Sequence, residues 1–290
     1  MSRFYEALQK ARTENKAQGE AELPTVDEII AAEPALLSRK SPAPSEIPAL
    51  PDGSLLQRCS HQRWNPNPSQ ILATLGDAGL VGMEKFRTLR SRLYQLRELR
   101  KLSVLTVTSA MPNEGKTFVS ANLAYVFAKQ HERRVLLIDA DLRHSAMSNL
   151  LGAPSSPGLS DCIAGRARTE EVIHRGDKEN LFFLPIGRID PNPGELIAST
   201  RMEQLIEQLR PLFDWIIIDT PPVIPVSDAS ILANLSDGVL LVICAGITDV
   251  KLAARAKAEF KKESLLGVVL NRAMETHGRY PEMYGYNYGG

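Results

Sequence analysis

One short segment of the 290-residue chain carries residue types that bind phosphate. Residues 110–117 read Ala-Met-Pro-Asn-Glu-Gly-Lys-Thr and match the pattern GxxxxGK[ST], except that Ala110 replaces the first glycine. In this pattern backbone N–H groups and the start of the following helix cradle phosphates, the lysine reaches the β- and γ-phosphates, and the hydroxyl binds Mg²⁺. The segment therefore predicts a nucleoside triphosphate site with contacts from Asn113, Glu114, Gly115, Lys116, Thr117 and Phe118.

Three aspartates follow apolar runs at positions that suit metal or proton chemistry. Asp139 and Asp141 follow residues 135–138, and their spacing of two places both on one side of an extended segment. Asp219 follows residues 215–218. Because open α/β sheets bind ligands at the carboxyl ends of their strands, we expect these carboxylates to border the phosphate site. An acid at one strand end is commonly only a turn residue, but three beside a phosphate loop favour the functional interpretation.

Short apolar runs alternate with helical patterns along most of the chain. This alternation predicts an α/β fold: a mostly parallel sheet with helices on both faces, as in nucleotide-binding P-loop proteins. The predicted strands are 104–108, 134–139, 181–186, 215–219, 238–244 and 265–271. The predicted helices are 83–99, 115–129, 201–212 and 250–263.

The distribution of proline divides the chain into four regions. Residues 1–17 favour a short N-terminal helix. Eight of the 19 prolines lie between positions 24 and 68, so we predict a Pro-rich, largely disordered linker over 18–78. The nucleotide-binding domain is predicted over 79–273, and a flexible tail over 274–290.

Composition excludes several classes of protein. Lys plus Arg and Asp plus Glu both total 34, so no global basic excess indicates nucleic acid as a ligand. Three separated cysteines form neither a disulfide framework nor a metal motif, which is typical of a reducing cytosol. No run reaches the ~18 apolar residues of a membrane helix, and the N-terminus lacks the features of a signal peptide. We expect a cytoplasmic protein that reaches a membrane only through a partner.

The last residues of the chain are rich in tyrosine. Four of the seven tyrosines lie within the final 11 residues, at Tyr280, Tyr284, Tyr286 and Tyr288. The neighbouring proline and glycines argue against a helix, so these rings do not form a helical core stripe. The tail is either an aromatic segment that packs on a surface or a cluster of phosphate acceptors.

A charged triplet lies on the helix before the phosphate loop. Glu84, Arg87 and Arg90 are spaced by three residues and therefore lie on one face of a helix. Such a face is usually solvated and held by pairs within the helix. The alternative is an interface with another subunit.

Together these motifs resemble the bacterial tyrosine kinases (BY-kinases) of capsule and exopolysaccharide biosynthesis, which are P-loop ATPases of the MinD/ParA-like superfamily. The resemblance covers roughly residues 80–290. It rests on the loop at 110–117, on a DxDxR element at 136–143, on a DxxP element at 216–221, and on the E-x-x-R-x-x-R motif of the triplet. The family usually has glycine where this chain has Asn113. The loop also lacks the early lysine of MinD-like ATPases, which favours the kinase branch.

The resemblance implies an activity and a role for each residue. The chain would be a non-specific protein-tyrosine kinase that phosphorylates its own tail tyrosines in trans from ATP, with Lys116, Asp139, Asp141 and Asp219 as catalytic residues. Mg²⁺ would be held by Thr117, Asp141 and Asp219, and Asp139 would accept or orient the tyrosine proton. Asn271, at the end of a predicted strand, would contact adenine. Asp228 is a weaker candidate, and a strand-ending turn residue is the alternative for Asn271.

Partners and location also follow from the resemblance. Glu84, Arg87 and Arg90 would close a homo-oligomeric ring, and a separate membrane-embedded polysaccharide co-polymerase would activate the kinase at the inner membrane. A protein-tyrosine phosphatase would reverse the modification, and no nucleic acid is expected. Two other functions stay open: a MinD/ParA-like positioning ATPase, and a non-catalytic nucleotide-binding regulator of polysaccharide synthesis.

Overall fold

The computed structural model describes residues 55–130, 133–176 and 180–273, apart from the side chains of residues 77 and 78. Three predictions therefore lie outside the described residues: the N-terminal helix at 1–17, most of the linker, and the tail at 274–290. All statements below concern the described residues.

A single sheet of eight strands forms the centre of the described region. The strands are β1 (Ser60–His61), β2 (Val104–Ser109), β3 (Val135–Asp139), β4 (His174–Arg175), β5 (Leu181–Leu184), β6 (Trp215–Asp219), β7 (Gly238–Cys244) and β8 (Leu265–Asn271). Their order across the sheet is β1-β4-β5-β3-β6-β2-β7-β8. All neighbours are parallel except β4 and β5, so the predicted mostly parallel sheet is confirmed.

Helices cover both faces of this sheet. They are α1 (Leu55–Arg58), α2 (Leu80–Leu99), α3 (Lys116–Ala128), α4 (Met147–Leu151), α5 (Leu159–Ile163), α6 (Thr169–Val172), α7 (Pro193–Ile197), α8 (Thr200–Leu209), α9 (Asp228–Asn234) and α10 (Val250–Ala258). Alternate residues of one strand enter different cores: Leu105 packs with α2 and α3, whereas Val104 packs with α8. For this reason five strands, β2, β3, β5, β6 and β7, are buried on both faces, which explains their continuous apolar runs.

Strand register brings the predicted acids together. Asp139 at the end of β3 pairs in register with Asp219 at the end of β6, and Val107 of β2 pairs with Asp219. The phosphate loop lies between β2 and α3. The carboxyl ends of three adjacent strands therefore meet at the predicted site.

The prediction of a disordered linker over 18–78 is wrong for residues 55–76. Residues 60–75, here called the strap, run along the domain, with β1 paired to β4 and with Trp64 and Ile71 buried. Two 3₁₀ turns, Leu72–Thr74 and Gly76–Gly79, then lead into α2. The order of this segment depends on contacts with distant residues, such as the pairing of β1 with β4 and the hydrogen bond from the N–H of Leu72 to Asn122.

Among the described residues, no helix is both long and apolar enough to span a lipid bilayer.

Candidate active site

The phosphate loop has the backbone geometry that its sequence predicts. Gly115 adopts φ 95° and ψ 22°, and α3 begins at Lys116. Gly115 is also required sterically, because a Cβ there would collide with the side-chain amide of Asn271. Asn113, where a glycine was expected, adopts φ 65°. Asparagine is among the few residues that tolerate this left-handed region, so the loop keeps its shape without the glycine.

Lys116 and Asp141 form an ion pair inside the site. Lys116 Nζ lies 2.8 Å from Asp141 Oδ2 and 3.3 Å from Thr117 Oγ1. Burial opposes the charge on Lys116, but the carboxylates of Asp219 and Asp141 outweigh it and raise the pKa of the lysine. Lys116 is therefore a cation at neutral pH, and Asp141 already balances it.

Asp219 holds the start of α3 through two hydroxyl groups. Thr117 Oγ1 donates to Asp219 Oδ2 at 2.7 Å, and Ser120 Oγ donates to Asp219 Oδ1 at 2.9 Å. Burial raises the pKa of Asp219, although Lys116 and the two hydroxyls oppose that rise. The sequence analysis did not predict Ser120 as a site residue. It lies four residues after Lys116 on the same face of the helix, and this spacing would have indicated it.

Asp139 is the most deeply buried acid of the site, with no exposed surface. Ser145 Oγ donates to its Oδ2 at 2.6 Å, and the N–H of Asp141 donates to its Oδ1 at 3.2 Å. Burial and the neighbouring charge of Asp219 raise the pKa of Asp139 to about 7. The carboxyl is therefore poised to take up or release a proton near neutral pH.

The oxygen donors of this site fit Mg²⁺. Thr117, Asp141 and Asp219 offer a hydroxyl and two carboxylates, which are hard oxygen ligands, and Mg²⁺ in nucleotide sites commonly uses one or two carboxylates plus phosphate oxygens. Among the described residues, no group of three or more His, Cys, Asp or Glu side chains is arranged as a protein-only metal site.

The side chain of Glu114, within the loop, is held by hydrogen bonds to other parts of the chain. Its side chain accepts hydrogen bonds from the N–H of Met111, at 2.8 Å, and from the hydroxyl of Thr248. Only 3% of Glu114 is exposed. The side chain of Glu114 therefore connects the loop to the segment after β7, and the contact of this residue with nucleotide stays a prediction.

Asn271 and Phe118 border the loop from two sides. The amide of Asn271 donates to the carbonyl of Glu114 at 2.9 Å, and the ring of Phe118 packs edge-on against Phe86 at 6.0 Å. Both residues also line the adjoining cavity. Asn271 thus connects the end of β8 to the phosphate loop, at the place where an adenine contact was predicted.

Arg143 and Asp228 form a two-pronged ion pair at the cavity wall. Arg143 Nε lies 2.9 Å from Asp228 Oδ2, and a terminal nitrogen of Arg143 lies 3.2 Å from Oδ1. Asp228 is buried, so its effect on the site acts through the position of Arg143. Asp228, the weaker candidate of the sequence analysis, thus pairs with Arg143, a contact that its position in the sequence did not indicate.

A cavity of about 970 Å³ opens over these groups. This volume is at the upper end of the range for small-molecule sites, roughly 300–1,000 Å³. Its walls include Gly115, Lys116, Thr117, Asp141, Arg143, His144, Ala146, Leu150, Pro222, Asn271, Arg272 and also Gln70. Asp139 and Asp219 lie behind this lining.

The charged triplet of α2 divides into two environments. Glu84 and Arg87 pair with each other at 2.8 Å, with 64% and 42% of their side chains exposed. Arg90 instead donates to the carbonyl of Val126 on α3 at 2.8 Å. Glu84 and Arg87 are thus available to another chain, whereas Arg90 also connects two helices of its own domain.

The parallel sheet, the phosphate loop before α3 and the acids at the neighbouring strand ends define a P-loop ATPase. The sequence profile of the AAA domain family matches residues 107–251. A solved structure of the septum site-determining protein MinD from Pyrococcus horikoshii, complexed with Mg-ADP, has a TM-score of 0.51 and 27% identity. The match covers 62% of this chain and 72% of that chain.

More similar proteins narrow this class. Tyrosine-protein kinase YwqD of Bacillus subtilis is 37% identical over 203 residues, which are 69% of this chain and 85% of YwqD. The kinase domain of the Escherichia coli tyrosine kinase ETK is 34% identical with a TM-score of 0.62, covering 71% of this chain and 80% of that chain. The chain therefore belongs to the bacterial tyrosine-protein kinase family, which confirms the resemblance. It spans only 25–32% of the length of several other curated kinases that it matches.

Proposed function

We propose that the chain is an ATP-dependent autokinase that phosphorylates the tyrosine cluster of its own C-terminal tail in trans, and thereby regulates capsule or exopolysaccharide polymerisation and export. The observation that carries this proposal is the convergence of Lys116, Thr117, Asp141 and Asp219 on one cavity edge in a chain of the tyrosine-kinase family. Phosphoryl transfer depends mainly on positioning and on charge neutralisation, and these groups supply both.

The chain's own residues divide this work. The N–H groups at the start of α3 and the Lys116 ammonium bind the β- and γ-phosphates, and Lys116 leaves Asp141 to do so. Thr117, Asp141 and Asp219 would hold Mg²⁺, which neutralises the charge that develops on the phosphates. Asp139 accepts the tyrosine proton, for which a pKa of about 7 is well matched. Because Asp139 has no exposed surface and Ser145 Oγ donates to it, the acceptor hydroxyl would have to displace this serine to reach the carboxylate.

The tail can reach a neighbouring site. From Asn271, which borders the cavity, to Tyr288 the chain has 17 further residues. An extended chain of that length spans about 55 Å. The acceptors in this proposal are Tyr280, Tyr284, Tyr286 and Tyr288. Each phosphate would add about −1.5 to −2 charge, so a fully modified tail is repelled from a site rich in carboxylates.

Mass spectrometry of the full chain tests this activity. After phosphatase treatment and incubation with ATP and Mg²⁺, we expect phosphate on positions 280–288. Lys116→Met should reduce the rate at least about 100-fold, because a cation at the transferred phosphate is lost. The matched control Lys262→Met, at an exposed position outside the cavity, should keep the wild-type rate.

A second variant separates binding from transfer. Replacement of Tyr280, Tyr284, Tyr286 and Tyr288 by phenylalanine should abolish most of the signal and leave ATP binding intact. Phosphate spread evenly over Tyr5, Tyr94 and Tyr125, or its absence from the tail, would contradict the proposal. The non-catalytic nucleotide-binding regulator would then be the better description.

The proposal includes a homo-oligomeric ring in which Glu84, Arg87 and Arg90 contact a neighbouring subunit. The exposure of Glu84 and Arg87 supports it. Light scattering should find a large assembly for the unphosphorylated chain and a folded monomer when all three residues are alanine. Because Arg90 also bonds Val126 within one subunit, the double variant Glu84→Ala/Arg87→Ala is the sharper test. An unchanged mass would show that this face is only solvated.

The proposal also covers the protein partners of the kinase and its location in the cell. The kinase would act at the cytoplasmic side of the inner membrane by binding a separate polysaccharide co-polymerase, and a protein-tyrosine phosphatase would reset the tail. The names of the relatives support the kinase activity on which this setting depends. Transfer rates measured with and without the cytoplasmic segment of a co-polymerase would test the activation.

A further inference from the structure

The strap contributes a residue to the wall of the active-site cavity. Gln70 lines that cavity beside the groups of the phosphate loop. It is exposed, and its side-chain amide has no hydrogen-bond partner within the described part of the chain. A primary amide offers two donors and two acceptor sites, so this group can bind a polar partner inside the cavity.

The position of Gln70 is fixed by its neighbours. Asn122 of α3 is fully buried, and its amide donates to the carbonyl of Gln70 at 2.9 Å and accepts from the N–H of Leu72 at 2.8 Å. Ile71, between these two residues, has no exposed surface. The helix that begins with Lys116 therefore holds the backbone on both sides of Ile71, and Gln70 stands on a rigid support.

Gln70 lies in a turn of the strap that is joined to α4, because its N–H donates to the carbonyl of Asn67 at 3.0 Å. The N–H of Asn67 donates to the carbonyl of Leu150 at 2.9 Å, which joins the strap to α4. Helix α4 follows the segment with Asp141 and Arg143, beyond β3. Asn271 ends β8, four strand spacings away from β3, or about 19 Å. With phosphates at the loop and adenine at Asn271, the end near Gln70 is left for the second reactant.

We propose that Gln70 determines acceptor specificity by binding the peptide that presents the tyrosine, while Ala146 and Leu150 contact the aromatic ring. This inference rests on the proposed function. Ala146 and Leu150 line the same cavity and give an apolar surface next to Asp141. An amide pairs well with the N–H and C=O groups of an extended peptide, whereas it contributes little to binding a triphosphate, which prefers cations and N–H donors.

The test uses the full chain with its four tail tyrosines changed to phenylalanine as the enzyme. The acceptor is a synthetic peptide with the sequence of residues 279–290. Steady-state kinetics give KM for the peptide and for ATP, and fluorescence anisotropy of the labelled peptide gives its Kd. Gln70→Ala should raise peptide KM and Kd about fivefold, the effect of one lost hydrogen bond. We expect KM for ATP to stay within about twofold.

A matched control is available in the same part of the chain. Gln57→Ala makes the same change at an exposed position of α1 that does not line the cavity, and it should alter neither constant. Equal peptide constants for Gln70→Ala and its parent would refute the inference. So would a rise in KM for ATP as large as that for the peptide, because it would indicate a general distortion. A parent enzyme that transfers no phosphate to the peptide would refute the proposed function itself, and this inference with it.

Discussion

Hydrogen-bonded acids lie at both ends of the sheet, fully buried at the carboxyl end and partly buried at the amino end, and their surroundings differ. At the carboxyl end, Asp139 and Asp219 are register partners on adjacent strands, and their pKa values are raised by burial. At the amino end, Asp237 precedes β7 and accepts hydrogen bonds from the N–H groups of Ser103 and Val104 at 2.8 Å each. Arg210 adds two contacts at 2.8 Å. Burial opposes ionisation there too, but these donors outweigh it and lower the pKa of Asp237.

The difference separates a structural acid from a functional one. Asp237 has every partner that a carboxylate needs, so its charge fixes the start of β2 to the start of β7. Asp139 and Asp219, at the other end, place two carboxylates close together. The hydrogen-bond donors around them offset only part of the cost of burying this charge, and in the proposed function Mg²⁺ would offset more. We therefore expect the same residue type to stabilise one end of the sheet and, as a buried charge, to destabilise the other.

The largest effect on stability is expected at Asp237. Asp237→Asn should lower the free energy of unfolding at pH 7 by about 3 kcal/mol, because Arg210 and two backbone donors lose their charged acceptor. Denaturant titration measures this difference. A folded-state pKa that is lowered gives stability that is present above the unfolded value, near 3.9, and is lost as pH falls through the folded value. The gap between wild type and variant should therefore shrink below about pH 4.

At Asp139 we expect a substitution to increase the free energy of unfolding rather than decrease it. In the absence of nucleotide and with EDTA present, Asp139→Asn should raise the free energy of unfolding at pH 8 by about 1–2 kcal/mol. The substitution removes a buried charge next to Asp219 and keeps an acceptor for Ser145. Phosphate transfer should be lost in the same variant. If Asp139→Asn lost as much stability as Asp237→Asn, the acids at the two ends of the sheet would not differ in their effect on stability.

The smallest change in the free energy of unfolding is expected for a substitution of Ser103. Its hydroxyl is one of several donors to Asp237, at 3.1 Å, and Arg210 also contacts it. Ser103→Ala should cost less than about 1 kcal/mol, because the remaining donors still satisfy the carboxylate. Thermal unfolding of the wild type, Ser103→Ala and Asp237→Asn measures the two losses of stability side by side. A loss equal to that of Asp237→Asn would mean that the hydroxyl, and not the ion pair, holds the two strands together.

Three of the parallel strands lie where the sequence predicted them, to the residue. β6, β7 and β8 begin and end where expected, since each is a local apolar run bounded by turn residues. The helix predicted over 250–263 ends earlier, at Ala258, and short helices such as α4 and α9 were missed because one or two turns carry too little periodicity.

The candidate site was predictable only in part, for a related reason. Lys116, Thr117 and Asp219 follow from motifs that are contiguous in sequence. The contacts of Asn122 and Asp228 depend on residues 52 and 85 positions away, and no local pattern records such pairs. Glu114 shows a different case, because its side chain has a structural contact with Thr248 that the motif does not indicate.

The ion pair between Lys116 and Asp141 has a consequence for which anions the candidate site is expected to bind. The lysine already has a counter-ion, so a bare anion must compete with a carboxylate for the same ammonium. In the proposed function, nucleotide that arrives with Mg²⁺ would exchange partners instead: phosphate would replace Asp141 at the lysine, and the cation would receive the released carboxylate. We therefore expect the site to bind the magnesium complex of the nucleotide in preference to inorganic phosphate or metal-free nucleotide.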